Sequence, residues 1–141
     1  SIQMLLALLS LLPLCSALIG RDQSAAAQGT LLCNGRPASN VLVKMYDDDS
    51  GFDLDDLMGT TNSNSMGQFS VRGTTDEIMT IDPKINIYHD CNDGNTPCQR
   101  RITISIPNQY VSSGKVPTKV YNAGSIELSG KFSGETRDCL H

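Results

Sequence analysis

The stretch RITISI, residues 101–106, alternates polar residues with isoleucine at every step. In an extended strand, successive side chains point to opposite faces, so Ile102, Ile104 and Ile106 share one face. A helix would need apolar residues at a period of 3.6, which this stretch does not have. The stretch therefore predicts a β-strand with one buried and one solvated face.

The same alternation recurs along most of the chain. The further predicted strands are 30–33, 40–46, 57–61, 68–72, 84–89 and 125–129. The residues predicted to face inward from them are Val41, Val43, Met45, Phe69, Val71, Ile85, Ile87, Ile126 and Leu128. Turn-forming segments such as NGRP (34–37) and NDGNTP (92–97) separate the strands, and no long amphipathic helix is present in the pattern. The fold class predicted is all-β, an antiparallel β-sandwich of seven to eight strands.

The first twenty residues differ from the rest of the chain. Met4–Leu14 is almost wholly apolar and is followed by the small residues of 15–17. This pattern predicts a secretory signal peptide over 1–20, cleaved near Ala17 or Gly20. A membrane anchor is the alternative, but Pro13 interrupts the run, which is short for a bilayer span. We expect 21–28 to be a polar lead-in and 29–141 to be the folded domain.

The charge of the chain is local. The formal net charge is −4, from 11 basic and 15 acidic residues. Six of the aspartates fall within positions 47–56, so the remainder of the chain is slightly basic. Neither part carries the concentrated positive charge that nucleic-acid binding requires. We therefore expect a protein that binds no nucleic acid, and the predicted signal peptide places it outside the cell.

The cysteines predict two disulfide bonds. Cys15 would leave with the signal peptide, and an even set of four, Cys33, Cys91, Cys98 and Cys139, remains. Three pairings are possible. The turn-rich segment between Cys91 and Cys98 favours their pairing, because a short loop closes at low entropic cost. That leaves Cys33 to pair with Cys139. A zinc site is disfavoured because the chain has no C-x-x-C pair.

The acidic run YDDDSGFDLDDLMGT, residues 46–60, raises the question of a metal site. An EF-hand loop fails in either register, because Gly51 or Leu54 falls where the template requires a ligand or a glycine. A weak, non-EF calcium site or partner-binding loop formed by Asp47, Asp49 and Asp53 is one interpretation. A solvated, self-repelling loop is the other. Paired catalytic carboxylates are disfavoured, because such crowded aspartates are expected to be exposed.

Other charged residues give weaker signals. Arg100, Arg101, Lys115 and Lys119 could present a basic face to an anionic ligand such as a phospholipid headgroup. Alternation sends Arg100 and Arg101 to opposite faces, so ordinary solvated strand ends are the competing interpretation. His89 is in phase with Ile85 and Ile87 and is predicted to face inward, and His141 is expected to lie free at the chain end. No metal or catalytic set can be assembled from two distant histidines.

Seven motifs together resemble the nematode transthyretin-like family of secreted proteins. They are GTLLCNGRPA (29–38), VLVKMYDDD (41–49), DLDDLM (53–58), GQFSVRG (67–73), IDPKINIYHDC (81–91), PCQRR (97–101) and GETRDC (134–139). The resemblance implies a transthyretin-like sandwich, in agreement with the period-two pattern. It covers essentially all of the chain beyond the signal peptide.

The resemblance also bears on function. The more distant 5-hydroxyisourate hydrolases use histidine and arginine in a cleft between subunits and end in Tyr-Arg-Gly-Ser, whereas this chain ends RDCLH (137–141). Hormone carriage depends on a tetramer channel that nothing here specifies. We therefore expect a non-catalytic binding or signalling module, without cofactor, that binds a protein or lipid at the cell surface. Bridging of phosphatidylserine to a receptor and a matrix or cuticle role are the alternatives that the family suggests.

Overall fold

The computed structural model describes residues 19–49 and 54–141. The predicted signal peptide therefore lies outside the described residues, except for Ile19 and Gly20. Asp53 of the predicted calcium loop also lies outside them. Across the described ranges, no helix is long and apolar enough to cross a membrane.

The described part of the chain consists of strands and turns. The elements are β1 (Arg21–Cys33), β2 (Arg36–Pro37), β3 (Leu42–Asp47), β4 (Asp56–Asn62), β5 (Gln68–Glu77), β6 (Pro83–His89), β7 (Gln99–Ser105), a 3₁₀ helix (Asn108–Tyr110), β8 (Ser112–Ser113), β9 (Tyr121–Glu127) and β10 (Thr136–Asp138). Three of the strands are only two or three residues long. The predicted all-β class is confirmed.

The strands form two sheets. In the first sheet β1 is central: it pairs antiparallel with β5 on one side and parallel with β9 on the other, and the short β2 and β8 pair with its ends. The second sheet has the order β10-β7-β6-β3-β4 and is antiparallel throughout. The predicted antiparallel sandwich is thus confirmed, with β1–β9 as the parallel pair within it.

The core lies between the two sheets and follows the predicted alternation. Val43, Met45, Ile85 and Ile87 are fully buried. The other predicted inward residues lie in or directly beside β3, β5, β7 and β9 and join the same cluster, except that Ile104 is partly buried and packs against it. His89 is 3% exposed and continues the inward face of β6, as predicted. Period-two alternation of large apolar residues was a sufficient signal because the core-facing positions of these strands are the apolar ones, although in β6 the other face is also buried at Asn86 and Tyr88.

The predicted polar lead-in, 21–28, is wrong: these residues form most of β1. Ala25, Ala26 and Ala27 are all buried, two of them completely. Gln23 is also buried, and its amide donates to the carbonyls of Glu77 and Met79 and accepts from the N–H of Ile81. The segment lacks β-branched or aromatic residues, so its local propensity for a strand is low. Pairing with β5 along its whole length overrides that propensity.

The predicted disulfide pairing is also wrong. The structure joins Cys33 to Cys91, with Cα atoms 5.8 Å apart, and Cys98 to Cys139, with Cα atoms 4.4 Å apart. The first bond connects Cys33, the last residue of β1, to Cys91, two positions past the end of β6, and so ties one sheet to the other.

Strand register explains the second bond. Asp138 of β10 lies opposite Gln99 of β7, so the next antiparallel pair along the ladder is Cys139 and Cys98. The low entropic cost of closing the 91–98 loop therefore did not decide the pairing. Strand β1 brings Cys33 to Cys91, and β10 brings Cys139 to Cys98. Each disulfide is expected to stabilise the fold by about 2–4 kcal/mol.

The two sheets meet at one edge through glycines. A Cβ atom placed on Gly59 of β4 would overlap the carbonyl of Arg72, and one placed on Gly73 of β5 would overlap the carbonyl of Met58. The backbones of β4 and β5 therefore approach more closely than side chains would allow. This contact closes one side of the sandwich.

We expect Gly73→Ala to destabilise the protein by about 1–3 kcal/mol, because the added methyl must push backbone aside rather than a flexible side chain. Urea unfolding followed by far-ultraviolet circular dichroism measures the change, since the chain has no tryptophan. Gly130→Ala is the matched control: the nearest atom to its Cβ would be the carbonyl oxygen of Glu127, 3.7 Å away. Equal unfolding midpoints for the two variants would contradict the close-approach argument.

Candidate functional site

Four carboxylates converge at one end of the sandwich. They belong to Asp47 at the end of β3, Asp49 just beyond it, Asp56 at the start of β4 and Glu77 at the end of β5. One ligand oxygen of each lies within 4.8 Å of those of the others. Asp47 and Asp56 are opposite each other in the β3–β4 ladder, and this pairing brings their carboxylates together. We refer to these four residues as the carboxylate cluster.

The members of the carboxylate cluster differ in environment. Asp47 is only 3% exposed, and its Oδ1 accepts the N–H of Asp82 at 2.9 Å. Burial raises the pKa of Asp47, although this hydrogen bond opposes the rise. Asp49 and Glu77 are half-buried and Asp56 is exposed. The site is therefore anchored in the protein on one side and open to solvent on the other.

Glu77 has the most altered protonation. A hydrogen bond to Asp56, then burial, then repulsion from the other three acids raise the pKa of Glu77 from 4.5 to about 7. Like charges this close cannot all ionise at low cost, so the cluster retains a proton close to neutral pH. A bound cation would relieve the same repulsion. A proton and a cation therefore compete for this site.

Two neighbouring acids, Asp48 and Asp55, share one lysine as their ion-pair partner. Lys84 of β6 forms ion pairs with Asp55 and, at 3.7 Å, with Asp48. Burial acts to raise the pKa of Asp55, but the hydrogen bond and charge of Lys84 outweigh it and hold that pKa below its usual value. Lys84 thus pairs with two acids, Asp48 and Asp55, that are not members of the carboxylate cluster.

The sequence predicted only part of this arrangement. Asp47 and Asp49 lie in the carboxylate cluster, while Asp53 lies outside the described residues. Asp56 and Glu77 were not predicted as partners. Glu77 is distant in sequence from the acidic run, and no local motif connects them. Only the close packing of β4 against β5 places its carboxylate beside that of Asp56.

The four predicted basic residues do not form one exposed surface. Arg100 is buried: its Nε and Nη2 donate to the carboxylate of Glu135 at 3.0 and 2.8 Å, and its Nη1 donates to the carbonyl of Cys91. Arg101 forms an ion pair with Asp138 at 2.9 Å. Lys115 and Lys119 are exposed in the segment between β8 and β9. Only these two lysines therefore present unburied positive charge from the predicted set.

Both histidines contact other residues of the fold. Nδ1 of His89 accepts the N–H of Cys91 at 3.1 Å, and its buried Nε2 has no hydrogen-bond partner among the described residues. Burial, then the charge of Arg100, lowers the pKa of His89. His141, expected to be free, instead stacks on Tyr88 with ring centroids 4.1 Å apart. A Cys91–His89 catalytic pair cannot form, since the sulfur of Cys91 is in a disulfide.

Comparison with known proteins gives a consistent result. Residues 28–107 match the family model described as TTR-52, transthyretin-like family. The chain is 56% identical to transthyretin-like protein 5 of Caenorhabditis elegans over 97% of its length and 99% of that protein. It is 54% identical to transthyretin-like protein 33 over 84% of its length and 83% of that protein, and 48% identical to transthyretin-like protein 2 over 87% and 86%. Both are also from Caenorhabditis elegans.

The carboxylate cluster predicts an unusual pH dependence of stability. Between about pH 4.5 and 7 the folded protein holds a proton on Glu77 that the unfolded chain has released. Stability from this group therefore falls as pH rises through that window. Glu77→Gln removes both the charge and the titration. We expect the variant to melt at a higher temperature than the wild type above pH 7, with the difference shrinking toward pH 5.

Asp76→Asn is the control, because it removes an equal charge next to Glu77 but outside the cluster. Melting temperatures of the three proteins, measured by circular dichroism across this pH range, provide the comparison. Because the pKa of His89 is lowered in the fold, His89 also makes the folded state less stable as pH falls below about 6.5. This contribution is the same in all three proteins. If the difference in melting temperature between the wild type and Glu77→Gln did not change with pH, Glu77 would not be holding a proton in this range.

Proposed function

Because the chain belongs to the transthyretin-like family, we propose that it is a secreted, non-catalytic module that acts by binding a ligand in the extracellular space. The observation that carries this proposal is that the histidine and arginine side chains that catalysis would need are bonded within the fold. His89 is buried against Cys91, whose sulfur is in a disulfide, and Arg100 is bound to Glu135. Surfaces able to recognise a partner remain, whereas the side chains of His89 and Arg100 are buried and bonded within the fold.

Two features support secretion. The apolar run Met4–Leu14, followed by small residues, is typical of a signal peptide. Two disulfides, one of them tying the sheets together, persist in an oxidising compartment and are rare in reducing ones. Cleavage after Gly20 would leave Arg21, the first residue of β1, at the start of the mature chain.

The catalytic alternative has a direct test. The oxidised protein starting at Arg21 is incubated with 5-hydroxyisourate, and the decay of the substrate is followed by absorbance. We expect the rate to equal that in buffer, both for the wild type and for His89→Ala. Acceleration by the wild type that is lost in His89→Ala would overturn the non-catalytic assignment. Crosslinking of the same protein to intact cells and to components of extracellular fluid tests for the expected binding.

A second candidate function is calcium-dependent contact with anionic phospholipid such as phosphatidylserine. The carboxylate cluster favours it: calcium prefers oxygen ligands at about 2.3–2.6 Å, so ligand oxygens around one ion lie within about 5 Å of each other. The 4.8 Å grouping of four carboxylates fits that requirement. Asp47, Asp49, Asp56 and Glu77 would hold the ion, with remaining positions available to water or a headgroup phosphate.

This candidate predicts calcium-dependent sedimentation with vesicles that contain phosphatidylserine. Binding should be absent with phosphatidylcholine vesicles or in chelator. The dissociation constant for calcium should be about 10⁻⁴–10⁻³ M, the range of extracellular modules. The double variant Asp49→Asn, Asp56→Asn should lose the calcium effect, while Asp76→Asn should retain it. Sedimentation that persists in chelator would instead indicate direct contact through Lys115 and Lys119, and no sedimentation in any condition would exclude both routes.

A further inference from the structure

A polar cleft lies on the outer face of the first sheet, at the opposite side of β1 from the core. Its volume is about 470 Å³. It is lined by Gln28, Gly29, Thr30, Asn64, Gln68, Phe69, Ser70 and Asn122. Six of these eight residues carry side-chain amides or hydroxyls, and none carries a charge. Pockets for apolar small molecules have mostly hydrophobic and aromatic linings, so this cleft differs from them.

Strand register places the polar side chains in rows. Gln28 of β1 lies between Ser70 of β5 and Asn122 of β9, and Thr30 lies opposite Gln68. Adjacent residues across strands have side chains about 5 Å apart on one face. The rows are thus spaced so that one extended ligand could contact several of them together. A register shift between β1 and β9 at Gln28–Thr30 lies at the centre of the face.

Internal hydrogen bonds orient two of the amides. The Oδ1 atom of Asn122 accepts the N–H of Gly124 at 2.9 Å, which leaves its NH₂ group to donate outward. The Oε1 atom of Gln68 accepts from Nδ2 of Asn64 at 3.2 Å, and so its NH₂ group is also left as a donor. Asn64 is itself held, because its Oδ1 accepts the N–H groups of Met66 and Gln68. The cleft therefore presents fixed donors beside the adaptable side chains of Gln28, Thr30 and Ser70.

Charged residues of β5 and β9 lie outside the lining of the cleft: they include Arg72, an exposed residue two positions beyond Ser70, and Glu127. Glu127 is the last residue of β9, and its carboxylate accepts the N–H groups of Asn34, Gly35 and Ser129 at 3.1, 2.6 and 2.9 Å. It closes the Asn34–Gly35 turn between β1 and β2. A phosphate, sulfate or carboxylate ligand would find no cation in the lining of the cleft. The chemistry of the cleft suits a neutral ligand that has many hydroxyl groups.

We propose that this cleft binds a neutral oligosaccharide. Sugar hydroxyls both donate and accept hydrogen bonds, as do the amide and hydroxyl side chains that line the cleft. A chain of sugars would extend along the two rows and satisfy several of these groups at once. The inference rests on the proposed function, binding outside the cell, and assigns a ligand class to a surface separate from the carboxylate cluster.

The test uses nitrogen-15-labelled oxidised protein and two-dimensional NMR, which resolves the side-chain NH₂ groups of asparagine and glutamine. The probes are tetrasaccharides of N-acetylglucosamine, glucose, mannose and galactose at millimolar concentration. We expect saturable shifts of the NH₂ signals of Gln28, Gln68 and Asn122 with at least one probe. The NH₂ signal of Gln109, which is exposed but remote from the cleft lining, should not move.

Variants then localise the binding. Gln28→Ala removes an exposed side chain, whereas Asn122→Ala also removes the acceptor of the Gly124 N–H, so the unfolding midpoint of each variant is measured first. Each should weaken binding about three- to tenfold, as expected for a lost neutral hydrogen bond. Gln109→Ala should bind as tightly as the wild type. O-phosphoserine and a sulfated tetrasaccharide should leave the three NH₂ signals unchanged.

Several outcomes would overturn the inference. They are the absence of shifts with every neutral tetrasaccharide, equal binding by Gln28→Ala, and shifts only with the anionic probes. Shifts confined to backbone N–H groups of β9 with an extended peptide would indicate strand addition at that edge instead. Each of these results leaves the proposed binding function untouched, because that function fails only if the protein hydrolyses substrate or crosslinks to no extracellular component.

Discussion

The close backbone approach of β4 and β5 determines both the shape of the sandwich and the position of its most acidic site. Gly59 faces the carbonyl of Arg72 and Gly73 faces that of Met58, so neither strand could carry a side chain there. From this contact the two strands continue toward the same end of the molecule, where Asp56 and Glu77 meet. A wider separation of the sheets would leave these carboxylates too far apart to share a proton or a cation.

Charge is distributed unevenly over the fold for a related reason. On the second sheet, ion pairs within the chain neutralise most of the charged side chains: Arg100 with Glu135, Arg101 with Asp138 and Lys84 with Asp55. Arg137 likewise binds Asp93 through two hydrogen bonds of 2.6 and 2.8 Å. The carboxylate cluster gathers charges of one sign instead. The hydrogen bond to Asp56, burial and repulsion from the other acids together raise the pKa of Glu77, and a ligand that carries positive charge would relieve that repulsion.

Much of the fold was predictable, and the errors have clear physical causes. Strands with alternating large apolar residues, such as Gln68–Arg72, were found because one buried face leaves a period of two in the sequence. Most of β1 was missed, because alanines pack in the sheet without a β-branched signal. The disulfides were paired wrongly because loop length was weighed without strand register. Of the candidate site, Asp47 and Asp49 were identified, while Glu77 could not be.

The sequence by itself determined the class of fold, the family and the local concentration of acid, since these depend on periodicity, motif order and composition along the chain. The tertiary structure alone decided which distant residues meet. It brought Glu77 to the acidic run, Cys139 to Cys98, and Gln28 between Ser70 and Asn122. The physical reason is the same in each case. Such neighbours are set by hydrogen-bonded register and by sheet packing across the sandwich, and neither is recorded in the spacing of residues along the chain.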